Sequence, residues 1–311
     1  MPASPVERLR PRRLRRGDRV AVVAPAGPVP RDQLAQGVAV LRSWGLQVDV
    51  APHVLDGHPD LPYLAAPDLD RARDLQHAWC DPDVHAVLCA RGGYGCLRLL
   101  DLLDWPAMAA ARPKIFAGSS DVTALHEAMG RHLGVVTLFS PMIAGPSFAD
   151  PHAREHLRRT LFEPESVRVL TRPGAGPLVA GRARGVTTGG NASLLVAGLG
   201  AWDAAAPPPG AVVLLEDVAE APYRLDRMLT QLRRAGWFAD AAGIALGSWT
   251  GCGESEAVRA VLADRLGDLG VPVIWELGFG HRDAPLTVPL GVLTELDADA
   301  GTLTVLDPAL C

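Results

Sequence analysis

Four short apolar runs, each followed by a helical pattern, constrain the fold of this chain more than any other feature. "RVAVVAPA" (19–26), "LQVDVAP" (46–52), "VHAVLCA" (84–90) and "KIFAG" (114–118) have strand length and are rich in Val, Ala, Leu and Ile. Between and after them come "RDQLAQGVAVLRSWG" (31–45), "DLDRARDLQHAWCDP" (68–82), "YGCLRLLDLLDW" (94–105) and "DVTALHEAMGRHLG" (121–134), all with helical spacing. Strands apolar on both faces and joined through helices make a parallel sheet covered on both sides. The first half therefore reads as an α/β unit.

The pattern loosens after residue 145, through one short helix and a Pro/Gly-rich stretch, and we take 151–184 as a linker region. The second half resumes with a helix over 190–199 and the strand "AVVLLED" (211–217), followed by the helix "YRLDRMLTQLRRAG" (223–236). "AGIALGSW" (242–249), a helix over 254–267 and "VPVIWEL" (271–277) come next, and "PLGVLTELDADAGTLTVLD" ends the chain as two strands joined by an Asp/Gly turn. The expected organisation is a parallel-sheet unit over 1–150 and a smaller, mixed α/β unit over 185–311.

Composition narrows the function. A length of 311 residues with 48% hydrophobic and 21% charged residues is ample for packed cores. A net charge of −5 argues against nucleic acid as a partner. The one basic block, "RLRPRRLRR" (8–16), is expected to be a solvated, partly disordered head. It is not a signal peptide, and no run approaches the roughly 18 apolar residues of a membrane span, so a soluble cytoplasmic chain is expected. Five scattered cysteines form no CxxC pair, which indicates neither a zinc site nor a disulfide framework.

Sites in parallel sheets form beyond the carboxyl ends of strands, where loops meet helix N-termini. The third strand exits into "RGGYG" (91–95) and the fourth into "GSSD" (118–121). "AVVLL" exits into Glu216–Asp217, and "VPVIWEL" into "GFGH", which puts His281 on a glycine-flanked loop. A serine, a carboxylate and a histidine thus stand at strand exits, in the chain order of α/β hydrolases. Each also has a plainer reading: Ser119 or Ser120 as a helix cap, Glu216 as a salt-bridged carboxylate, His281 as a loop residue. "RGGYG" lacks the spacing of a phosphate loop, but its adjacent glycines permit close backbone approach to a ligand. Cys89 or Cys96 would serve a cysteine amidotransferase, yet neither sits at a strand-to-helix elbow.

The chemistry of such a set is definite. A histidine takes the serine proton and later returns it to a leaving amine, while a carboxylate fixes the imidazole tautomer. N–H groups must face the developing oxyanion. The backbone of "RGGYG" and the residue after the serine are placed to supply them. The reaction class is hydrolysis of an amide or ester through an acyl-enzyme.

The blocks "ARGGYGCLRLLDLLDW", "KIFAGSSDVTALH", "GGNASLL", "LLEDVAEAPYRLDRMLTQLRRAG" and "GFGHRDAPLTVPLGV", in this order, resemble the LD-carboxypeptidase family of serine peptidases. The likeness runs from "GDRVAVVAPAG" to "PLGV" and so spans nearly the whole chain. It implies a flavodoxin-like or amidotransferase-like N-terminal domain carrying the nucleophile. It also implies a swivelling C-terminal domain carrying Glu and His, a homodimer, and neither metal nor cofactor. The family's Gly–aromatic–Ser–Asp turn falls on Gly118–Ser119–Ser120–Asp121, with Ser119 in place of the aromatic residue. On that register Ser120 is the nucleophile and Glu216 and His281 complete the triad. The oxyanion donors fall on the backbone around Gly92–Gly93 and on the N–H of Asp121.

An exopeptidase must also hold a free carboxylate, for which Arg91 and Asn191 are candidates. The implied reaction releases a C-terminal D-amino acid, D-Ala, from murein tetrapeptides by cutting an L,D bond, so the expected partner is a small peptide. Two alternatives remain open at this stage. One is an aminoacyl-nucleotide or peptide-antibiotic resistance peptidase of the microcin C type, and the other a non-catalytic binding homologue.

Overall fold

The computed structural model describes residues 8–202, 204 and 206–311. Five strands of the first half, β1 (Arg19–Val23), β2 (Gln47–Val50), β3 (Val84–Cys89), β4 (Ile115–Gly118) and β5 (Thr137–Phe139), form a parallel sheet in the order β2-β1-β3-β4-β5. Alternate residues of these strands serve opposite faces. Val20, Val22 and Leu88 pack with Leu34, Val38 and Leu41 of helix α1 (Arg31–Ser43). Val23, Val87 and Phe116 pack with Leu75 and Trp79 of α2 (Asp68–Cys80). A sheet covered on both faces is what the near-continuous apolar runs require.

The run 94–105 is not one α-helix. A 3₁₀ turn over Cys96–Leu102 precedes a short α3 (Trp105–Ala110). Asp121 holds the N–H of Cys96 at one end, and at the other Asp104 caps a new helix by accepting the N–H of Ala107. Helix α4 (Thr123–His132) follows β4, and α5 (Pro151–Phe162) follows β5.

The second sheet contains β6 (Val169–Leu170), β7 (Gly176–Val179), β8 (Arg182–Asn191), β9 (Val212–Val218), β10 (Gly243–Thr250) and β11 (Val273–Trp275). Strands β8 to β11 are parallel. They alternate with α6 (Ala192–Ala197), α7 (Pro222–Arg234) and α8 (Ser255–Leu266). After β12 (Val288–Leu290), strands β13 (Leu293–Asp297) and β14 (Thr302–Val305) pair as the expected terminal hairpin, β13 lying antiparallel to β8.

The strand β12 departs from the sequence reading. It joins the first sheet, antiparallel to β5. The segment 276–287, which carries His281, therefore leaves the second sheet at β11 and enters the first at β12. Phe139 of β5 meets Phe279 edge-to-face at 5.8 Å, and one apolar core runs from Val22 through Phe279 to Leu296.

The basic segment 8–16 is not a solvated head. Leu9 bridges Val135, Leu14 is buried and donates its N–H to the carbonyl of Leu161, and Arg13 N–H binds the carbonyl of Cys311. Arg12 makes a two-bond fork with Asp18 at 2.8 Å, so part of the basic charge is already paired within the chain. Leu14 anchors the segment to the core, an apolar signal hidden within the run of arginines, whereas Leu9 is held by its backbone and leaves its side chain exposed. Among the described residues no helix is long and apolar enough to cross a membrane.

Candidate active site

The β4 strand runs into Gly118–Ser119–Ser120–Asp121, and the chain turns sharply there because Ser120 adopts φ 59°. A left-handed non-glycine residue costs on the order of 1–2 kcal/mol and presents its side chain at the tip of the turn. Neither Ser119 nor Ser120 caps the following helix through its side chain. The capping explanation for the serine pair is therefore absent from the fold.

Three contacts hold this elbow. The buried carboxylate of Asp121 accepts the N–H of Cys96 at 2.7 Å, which ties the serine turn to the end of the "RGGYG" loop. Burial pushes its pKa up, and the N–H donors of Cys96 and Gly95 pull it back. His126 binds the Gly118 carbonyl at 3.0 Å and the Thr137 hydroxyl at 2.9 Å. Its complete burial lowers its pKa to about 4, so it stays neutral and structural. Gly92 lies against the serine itself: a Cβ there would come 2.9 Å from Ser120 Cβ and 3.2 Å from Oγ. The carbonyl of Gly92 accepts the N–H of Gly27 at 2.9 Å, which fixes the orientation of its peptide, and Gly93 follows with φ 111°.

The second half supplies a carboxylate and an imidazole. Glu216, within β9 near its C-terminal end, is 0% exposed. Its Oε2 accepts both the His281 Nδ1–H at 2.7 Å and the His281 backbone N–H at 3.1 Å. That close approach needs Gly280, whose φ is 96° and where a Cβ would fall 2.5 Å from Glu216 Oε2. Gly280→Ala is therefore expected to push the histidine loop off the carboxylate and lower kcat about 10²-fold. Steady-state kinetics beside a thermal melt would separate this from simple unfolding.

Burial opposes the charged form of His281, but the Glu216 charge and hydrogen bond, with Asp217 behind, leave its pKa above the ordinary 6.5. Asp217 is pushed up to about 6 by burial and the neighbouring Glu216, against the N–H donors of Val218 and Ser193.

Asn191 does not line the cleft. Buried at the end of β8, it donates from Nδ2 to Glu216 Oε1 at 3.1 Å and Asp217 Oδ1 at 3.0 Å, while its Oδ1 caps α6 at the N–H of Leu194. Sequence reasoning missed this arrangement, although "NASLL" carries the N-cap signal. Arg91 is exposed on the cleft wall and donates from Nη1 to the Pro28 carbonyl at 2.7 Å.

These parts meet in a cleft of about 360 Å³ lined by Arg91, Gly92, Gly93, Ser119, Ser120 and His281, among others. Ser120 and His281 face it from loops of different halves, with no direct hydrogen bond between them. The imidazole Nε2 is the ring atom left for proton exchange, since Nδ1 is engaged by Glu216. Among the described residues no group of three or more His, Cys, Asp or Glu is arranged to hold a metal ion. Cys89 and Cys96 are buried, and burial raises both thiols, which disfavours the thiolate a cysteine nucleophile needs.

Fold and cleft together define a two-sheet α/β protein with a cleft where loops of both halves converge. Comparison with known proteins is specific. The model of the LD-carboxypeptidase N-terminal domain matches residues 20–140, and that of the LD-carboxypeptidase C-terminal domain residues 184–296. A putative carboxypeptidase of Streptomyces coelicolor is 60% identical over 306 residues, covering 98% of each chain. The murein tetrapeptide carboxypeptidase of Pseudomonas aeruginosa is 32% identical over 294 residues, covering 90% of this chain and 94% of that one. Among solved structures, the microcin C7 self-immunity protein MccF in complex with glutamyl sulfamoyl guanosine superposes with a TM-score of 0.85. That match covers 97% of this chain and 100% of the other at 22% identity, a likeness of fold. The chain belongs to the LD-carboxypeptidase family, a family of serine peptidases.

Proposed function

We propose that this protein is a serine carboxypeptidase that cuts the L,D bond before a C-terminal D-Ala of murein tetrapeptides, through an acyl-enzyme on Ser120. The observation that carries the reading is His281, joined to the buried Glu216 at 2.7 Å, on the same cleft as a serine held at φ 59°. The murein tetrapeptide carboxypeptidase relative supports the choice of substrate.

In this mechanism His281 Nε2 takes the proton of the Ser120 hydroxyl as Oγ bonds to the scissile carbonyl carbon. Glu216 holds the ring tautomer and stabilises the imidazolium. The N–H groups of Gly93 and Asp121 face the oxyanion. Asp121 is suited to this because donors in a helix's first turn have no acceptor within the helix. His281 then gives its proton to the amine of D-Ala as the C–N bond breaks. Water, deprotonated by the same ring, then bonds to the ester carbonyl carbon, and as the C–Oγ bond breaks the ring gives that proton to Ser120 Oγ, releasing the shortened peptide as its acid. Arg91, the one arginine on the cleft wall, receives the terminal carboxylate.

The base must be neutral to accept the serine proton. Because His281 titrates above its ordinary value, kcat/KM is expected to rise with pH through an apparent pKa above 6.5. A pH–rate profile with that limb at or below 6 would contradict the assignment. The substrate is tested by incubation with a murein tetrapeptide and, separately, with a microcin-like aminoacyl-nucleotide conjugate. Release of D-Ala from the first supports the reading. Cleavage of the second alone makes the protein a resistance peptidase. Cleavage of neither, with no adduct from a serine-directed reagent, makes it a binding homologue. The reading includes a cytoplasmic homodimer acting on recycled wall peptides, which light scattering and cell fractionation would check.

A further inference from the structure

Resting on that triad, we infer that Thr123 and Glu127 are positioning residues that set the distance between the nucleophile and the Glu216–His281 pair. The two sit one turn apart on α4, the helix that follows Ser120, so they share one face of it. That face meets β8 of the other sheet. The backbone N–H of Asn191 donates to Thr123 Oγ1 at 3.0 Å. Glu127 Oε1 accepts the Thr188 hydroxyl at 3.1 Å and the Gly189 N–H at 3.3 Å. Gly190, with φ 147°, makes room for the contact, since a Cβ there would lie 2.7 Å from Thr123 Oγ1.

The clamp connects to chemistry through Asn191. Its backbone is held by the nucleophile helix, and its side chain holds Glu216 Oε1, whose other oxygen holds His281. An unbroken series of hydrogen bonds therefore runs from three residues past Ser120 to the imidazole. Thr123 and Asn191 are 1% and 2% exposed, so water does not replace these bonds when one is removed. Ser120 and His281 come from different halves with no bond of their own, and the α4–β8 clamp sets their spacing together with the β12–β5 pairing that moors the histidine segment. A general catalyst misplaced by about 1 Å loses roughly 10²-fold in rate.

The test uses the full chain with a murein tetrapeptide. Thr123→Val keeps the shape of the side chain but leaves the Asn191 N–H without an acceptor. Its kcat is expected to fall about 10- to 100-fold with KM nearly unchanged, and phosphonylation of Ser120 by a fluorophosphonate to slow in parallel. The acidic limb of the pH profile should stay in place, because the Glu216–His281 pair is untouched. Thr123→Ser, which restores the oxygen, should recover most of the rate. Thr188→Val, which removes one bond at the far end of the clamp, should give a smaller loss of the same kind and serves if Thr123→Val does not fold.

Wild-type kcat in folded Thr123→Val, or loss confined to thermal stability, overturns the inference while leaving the triad standing. Failure of the triad itself reads differently: wild-type protein would not be labelled at Ser120 at all, and Ser120→Ala would retain activity.

Discussion

Ser120→Ala is expected to abolish turnover, lowering kcat on the order of 10⁴-fold or more, while Ser119→Ala leaves it within a few-fold of wild type. The asymmetry follows from the elbow. Ser120 alone carries the left-handed φ of 59°, and Gly92 packs against its Cβ and Oγ. Ser119 is extended, at φ −151°, and marks the N-terminal boundary of the turn. The substitution removes one hydroxyl from a side chain that caps nothing, so the melting temperature should hardly change. D-Ala release under saturating tetrapeptide, with mass spectrometry of a fluorophosphonate adduct, measures both points. Activity lost at 119 and kept at 120 would move the nucleophile by one residue and discard the register argued above.

Glu216→Gln should cost about 10²- to 10⁴-fold in kcat, and it should leave a second mark in the opposite sense. An amide in place of the carboxylate no longer dictates which ring nitrogen of His281 carries the proton, so a share of the enzyme holds the wrong tautomer. Burial of the ring persists, but the charge that offset it is gone. The His281 pKa should therefore drop, carrying the rising limb of kcat/KM to lower pH. A slow variant with an acid-shifted profile is a signature that mere unfolding does not produce. An unshifted limb would mean that Glu216 does not govern the base. Asn191 can still donate to the carbonyl oxygen of glutamine, which favours a folded protein.

Much of the fold was legible because parallel sheets write themselves plainly. β1, β3 and β4 are apolar on both faces, and α1 and α2 end just before the glycine and the proline that the sequence offers as stops. The rule that sites lie beyond strand ends drew attention to Ser120, Glu216 and His281, and the fold brings the last two into contact. What escaped was non-local. Asn191 looked like a substrate contact because nothing in "GGNASLL" reveals that its amide turns inward to two buried carboxylates. Leu14 among the arginines of 8–16 was outweighed by charge, although it is 2% exposed. The three-residue strand β12 is too short for alternation to reveal its sheet, and its partner β5 lies some 150 residues earlier in the chain.

That borrowed edge strand has a consequence for anyone who would take the protein apart. A fragment ending before residue 288 would leave β5 with bare amides and carbonyls along its outer rim, an invitation to stick to another copy. The complementary piece would carry the histidine segment with one of its two moorings missing. The halves match separate family models, yet neither is a finished module, and an ancestor assembled by fusing two self-sufficient units would have had to acquire this crossing afterwards.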